Sequence, residues 1–398
     1  MNPLQFPKFS PVYFFILVAS VLIATLSSCS GQDNSIAQQP TSLVGKTLQW
    51  PEPQDSMMKT GKSYLYMSSI GDLTEKNVSI LETFEDRNGQ IWITTSGEGV
   101  YVYRDSMYYH LTEAEGLINN CVFSITQDWY GRVWLGTSKG LSCFDGNRFI
   151  NYSMADIRGS GKDNNLGKDL PTCDSFDILA LLVDRTGLVW MGTSSGIYHF
   201  DGKKFTHVLH GGEITNDSDK YPRTVSQIVQ DKQGKIWFNT WADGVFRLDD
   251  KTLHRVALNT EEWSSGIQVD SRGNVWIASE PYKVFQYVFP EKEGDSVDQF
   301  VEYEMEHELV NKRALRLQHV TPSGVMWFTA IPYDGIEGGL FRFTPFDPVV
   351  KKSVLIEYDA THGIPSNNMR NLIFTKTGEV YYSDDFKFGK FHLNILGC

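Results

Sequence analysis

Residues 128–141 read DWYGRVWLGTSKGL, and the chain returns to this phrase repeatedly. Its Asp-x-x-Gly-x-x-Trp core recurs as DRNGQIW from Asp86, DWYGRVW from Asp128, DRTGLVW from Asp184, DKQGKIW from Asp231 and DSRGNVW from Asp270. Two weaker copies follow, TPSGVMW from Thr321 and TKTGEVY from Thr375. Intervals of about 40 to 56 residues point to a solenoid or a propeller. The flanking segments decide between the two. A short apolar run precedes each Asp, as in FSITQ or ILALLV, and Asp-x-x-Gly reads as a tight hairpin turn. The Asp carboxylate is placed to accept from backbone N–H groups further along the turn, and Gly tolerates positive φ at its end. A Trp-bearing strand follows (VWLGT, VWMGT, IWFNT), then a third strand (GLSCF, GIYHF, GVFRL, GLFRF) and a fourth (NRFINY, KKFTHV, SVLIEY).

Four short antiparallel strands per unit, with no helix between copies, describe a propeller blade. The expected fold is therefore all-β, a seven-bladed β-propeller of four-stranded antiparallel blades spanning 62–398. Trp92, Trp134, Trp190, Trp237, Trp276 and Trp327 share one strand position, with Tyr381 in the seventh copy. Periodic large rings at one register are expected to fill the wedges between adjacent sheets. The last copy has room for three strands only. KSYLYM, residues 62–67, resembles the fourth strands and precedes the first copy, so an N-terminal strand is expected to complete the last blade and close the ring.

The remaining sequence bounds location and partners. Residues 1–28 carry an early Lys8, an apolar run over 12–26 and small residues, the layout of a secretory signal. LSSC, ending in Cys29, resembles a bacterial lipoprotein lipobox, which implies cleavage before Cys29, lipid on its sulfur and a membrane-anchored protein in the cell envelope. Residues 29–61 are rich in Ser, Gln and Pro and read as a tether. Composition is that of a globular domain, 41% hydrophobic and 21% charged, with 10 Trp. A formal net charge of −12 without a Lys/Arg cluster argues against nucleic acid. Cys121 and Cys173 each lie shortly before equivalent strands; a disulfide and buried thiols both remain open there.

The linkers LTEAEGLINNCVFSITQD (111–128) and YDATHGIPSNNMRNLIF (358–374), with the Gly-x-x-Trp-x-Gly-Thr segments, resemble the two-component regulator propeller repeat over essentially all of 63–396. The resemblance implies a propeller of the kind used for extracytoplasmic sensing, where glycans are recognised. No kinase or receiver segment follows the repeats, so a binding role is expected rather than phosphoryl transfer. KIWFNT, NVWIAS and VMWFTA are also similar to streptogramin lyase-type repeats, which implies a lyase as the enzymatic alternative, although that family's His and Glu find no matching positions here.

The nine histidines show no His-Glu-x-x-His or Cys/His metal spacing, and no Gly-x-Ser-x-Gly appears. No catalytic set, metal site or cofactor is expected. Blade topology places two sets of loops at one mouth. Those leading into the inner strands offer Arg223, Trp263, Arg313, Arg316, Asn367, Asn368 and Arg370, and those joining second to third strands offer Trp241, Tyr282, Tyr333 and Asp334. Aromatic platforms with arginines suit a glycan or a partner protein. Cys29→Ser is expected to abolish metabolic lipid labelling and release the protein from the membrane fraction; retained labelling would refute the anchor.

Overall fold

The structure, a computed structural model, describes residues 54–55, 58–60, 64–67, 78–104, 107–158, 176–208, 215–216, 222, 224–256, 258, 264–279, 282–289, 299–305, 314–331, 338–347, 352–358, 364 and 366–391. Its strands form seven antiparallel sheets, each running outward from an inner strand. The inner strands are Ile80–Glu85, Val122–Gln127, Ile178–Val183, Val225–Gln230, Ser264–Val269, Ala314–Val320 and Asn371–Phe374, in blades 1 to 7. Each contacts the inner strands of both neighbouring blades, blade 7 meeting blade 1, so the seven sheets close around a central channel. The chain is a seven-bladed β-propeller, as its repeats predict.

The repeated phrase explains the blade. In blade 2 the Asp128 carboxylate accepts from the backbone N–H of Tyr130 and Arg132 at 2.9 and 3.0 Å. Its second oxygen accepts from the indole N–H of Trp134 at 3.0 Å. Asp86, Asp184, Asp231 and Asp270 do the same for Trp92, Trp190, Trp237 and Trp276. One carboxylate thus satisfies a hairpin turn and a buried indole together, and Gly131 takes the positive φ of 84° that the turn demands. Thr321 and Thr375 keep only the turn half, through hydroxyls that accept from Val325 and Glu379 N–H. The weaker copies therefore still form hairpins.

The tryptophans are core. Trp92, Trp134, Trp237 and Trp327 are almost fully buried, and Tyr381 is buried at the same register in blade 7. Seven apolar clusters fill seven interfaces, each pairing one blade's Trp or Tyr with the next blade's middle strands. Trp134 packs on Met191, Tyr198 and Phe200 of blade 3, and Tyr381 packs on Ile91, Ile93 and Tyr101 of blade 1.

Closure follows the expected device. Tyr64–Met67 pairs antiparallel with Phe388–Phe391 as the fourth strand of blade 7. Three blades carry a fifth strand, which departs from the four-stranded expectation. Met58–Thr60 extends blade 7, Gln54–Asp55 extends blade 1, and Thr215–Asn216 adds in parallel to blade 4. Two of these belong to the stretch 29–61 read as tether, so part of that stretch is paired; residues 1–53, including Cys29, lie outside the described residues. Cys121 and Cys143 are buried, and Cys173 lies outside the description.

Trp129 and Trp134 sit five residues apart in one repeat and separate core from surface. Trp129 is 58% exposed on the turn while Trp134 is 1% exposed. Trp134→Ala is expected to cost about 3–5 kcal/mol through the cavity it leaves. Trp129→Ala is expected to cost about 1 kcal/mol or less, both read by urea unfolding. Equal losses would place the wedge elsewhere.

Candidate functional site

The two rims of the propeller are built differently. One consists of the Asp and Thr turns, whose acceptors are committed to their own hairpins. These turns are also laced to one another: the N–H groups of Arg87, Arg185 and Lys376 donate to the Gln127, Gln230 and Glu85 side chains of the following blade. At the opposite rim, residues leading into the inner strands meet those leaving the second strands. Ser96, Ser138 and Ser194 N–H donate to the Ser79, Cys121 and Asp177 carbonyls, and Trp241 N–H donates to the Thr224 carbonyl at 3.3 Å. In blades 1 to 4 the described residues of the two loop sets therefore meet at this rim.

The mouth residues are placed as follows. Trp241 is half-buried on its loop. Tyr282 is half-buried against the cluster between blades 5 and 6, so this mouth-loop residue also takes part in packing. It also adopts φ 66°, just before the third strand, where blades 1 and 4 place Gly99 and Gly244. A tyrosine in the left-handed region costs about 1–2 kcal/mol, and the Met305 N–H, donating to its carbonyl at 2.8 Å, helps hold it. Arg370 forms an ion pair with Asp385, which also accepts from the Asn368 amide at 3.1 Å. Arg223, Trp263, Arg313, Tyr333 and Asp334 lie outside the described residues.

Arg316 needs a second correction. It belongs to the inner strand of blade 6, paired with Thr329, and not to the loop before it. Its side chain is open to solvent, yet burial is the chief influence lowering its pKa, so protein surrounds it. The register places it on the inner strand of its blade, in the ring of strands that surrounds the channel. Two charges act on it there: Glu82, from the inner strand of blade 1, supports its cation, and Arg370, from blade 7, opposes it.

Glu82 is the residue that motif reasoning missed. It lies in ILETFE, a stretch that reads only as an apolar-edged strand. One carboxylate oxygen accepts from the Ile125 N–H of blade 2 at 3.1 Å. Burial raises its pKa from 4.5 to about 7, against the lowering influence of Arg316 and that hydrogen bond. The signal was present only as an acidic residue at an inner-strand position where other blades carry Ser124, Ala180, Gln227 and Gly266. Recognising it required the register.

No family model matches the chain, and no curated protein matches it. Solved structures do. Virginiamycin B lyase from Staphylococcus aureus, in a catalytically inactive form solved with quinupristin, is similar with a TM-score of 0.56 at 15% identity, over 79% of this chain and 94% of that one. YCF48 bound to D1 peptide gives 0.51 at 11% identity, over 79% and 92%. The extracellular domain of the hybrid two component system BT3049 from B. thetaiotaomicron gives 0.37 at 15% identity, over 90% of this chain and 53% of that one. The first two likenesses agree with the propeller fold.

The raised pKa of Glu82 has a signed consequence. The folded chain holds this proton more tightly than the unfolded chain, so the contribution is present at acid pH and lost as pH rises from 4.5 to about 7. Glu82→Gln is expected to flatten that part of the stability profile, measured by denaturant unfolding across a pH series. A profile identical to wild type would show that Glu82 does not titrate there.

Proposed function

We propose that the chain is an extracytoplasmic, lipid-anchored binding propeller that engages a partner protein or a glycan at the mouth formed by its inner-strand and second-to-third-strand loops, without catalysis. The observation that carries this reading is the asymmetry of the rims. Turn-face carboxylates are tied to indoles and backbone, whereas the opposite mouth gathers Trp241, the Arg370–Asp385–Asn368 cluster and the channel charges Arg316 and Glu82. Aromatic and guanidinium groups of this kind recognise sugars and protein surfaces alike. The export reading rests on residues 1–29 of the sequence. Similarity to a lyase supplies a fold and not an activity, so turnover is not part of the proposal.

The test pairs a glycan array with native pull-down from envelope extract, using the full chain. Trp241→Ala is expected to weaken the recovered interaction at least fivefold while leaving the melting temperature within a few degrees of wild type. An interaction indifferent to Trp241→Ala but abolished by Trp129→Ala would move the site to the turn face.

A further inference from the structure

Viewed along the channel, one strand position recurs in every blade, paired with the residue two beyond the buried Trp or Tyr. It holds Glu82, Ser124, Ala180, Gln227, Gly266, Arg316 and Asn371 in blades 1 to 7. Four of these side chains staple neighbouring blades. Glu82 accepts from Ile125 N–H, Ser124 donates to the Ile178 carbonyl, Gln227 accepts from Ile267 N–H and Asn371 donates to the Leu81 carbonyl. Ala180 and Gly266 bring no polar group. Arg316 brings five N–H donors, and among the described residues none of them is taken by a hydrogen bond or an ion pair.

The position of the β-bulge sets this residue apart. In blades 1 to 5 the register shift falls between the first and third residues of the inner strand; in blade 6 it falls later, between Leu317 and His319. Gln318 becomes the extra residue, and its amide donates to Thr329 Oγ1 and the Arg370 carbonyl. The contacts that would staple blade 6 to blade 7 are thus made by Gln318, and Arg316 is left for the channel.

Arg370, paired with Asp385, is the second cation acting on Arg316, and Glu82 faces it from blade 1 with a carboxyl whose pKa burial raises to about 7. Only one Glu82 oxygen is engaged, so the other can accept from a hydroxyl or, when protonated, donate to one. Resting on the binding reading above, we infer that the channel sector formed by blades 6, 7 and 1 is an anion subsite in which Arg316 takes the carboxylate of a small hydroxylated acid, a sugar acid, through paired N–H···O bonds, while Glu82 meets its hydroxyls.

The experiment titrates the full chain with D-glucuronate, D-glucose, acetate and an N-acetylated dipeptide with a free C-terminal carboxylate, by ligand-observed NMR. Glucuronate is expected to bind at least tenfold more tightly than glucose or acetate, because it alone offers both charge and hydroxyls. Arg316→Gln should lose that preference at an unchanged melting temperature, since no hydrogen bond or ion pair among the described residues rests on the guanidinium. Glu82→Gln keeps the acceptor for Ile125 N–H and removes the competing negative charge, so it should bind glucuronate more tightly. Equal binding of glucuronate and glucose, or wild-type binding by Arg316→Gln, overturns the proposal, as does tighter binding of the dipeptide than of glucuronate. If glucuronate fails to bind while a partner is still captured in a Trp241-dependent way, the anion subsite falls and the rim reading stands.

Discussion

The structure depends on a carboxylate with two tasks. Each repeat's Asp receives two backbone N–H groups of its own turn and the indole N–H of the Trp six residues on. A hydrogen bond to a charged acceptor contributes about 1.5–3 kcal/mol, and an unpaired buried indole N–H would cost a comparable amount. The turn therefore fixes the ring that fills the wedge, and the wedge fixes how neighbouring sheets meet. Local register and inter-blade packing are set by the same seven residues. The copies that replace Asp by Thr keep the hairpin through a hydroxyl, and their large rings, Trp327 and Tyr381, are still buried.

Lateral contacts convert seven such units into a ring. Apolar clusters occupy every interface, and side-chain staples cross between inner strands along the channel. Blade 7 is assembled from both ends of the described chain, with Tyr64–Met67 beside Phe388–Phe391, and blade 7 touches blade 1 through Asn371, Lys376 and the Asp385 carbonyl. Tyr64–Met67 thereby covers the edge of Phe388–Phe391 that would otherwise lie open at the seam. The extra short strands at 54–55 and 58–60 cover outer edges of blades 1 and 7.

The seam is also where the channel's charge collects. Arg316, Arg370, Asp385 and Glu82 come from blades 6, 7 and 1, while the same ring elsewhere holds serine, alanine, glycine and a stapling glutamine. Tyr282 in the left-handed conformation adds a strained position to the same rim. Such strain needs packing to hold it, and the cluster between blades 5 and 6 provides that support.

What the sequence determined by itself is whatever repeats or stays local. Hairpin turns, the Trp register, seven blades and the closing strand follow from spacing, because turn chemistry and strand alternation act over a few residues and recur. The mouth's two loop sets were legible for the same reason. Tertiary structure alone decided the rest. Glu82 and Arg316 sit in different repeats and meet only because ring closure brings blade 1 back beside blades 6 and 7. Arg316 reads as a loop residue until the late bulge at Gln318 shows it paired with Thr329. Bulge position depends on cross-strand pairing, and the pKa of Glu82 on the protein packed around it. Neither quantity is a property of a short stretch of chain, so neither could be read before the fold.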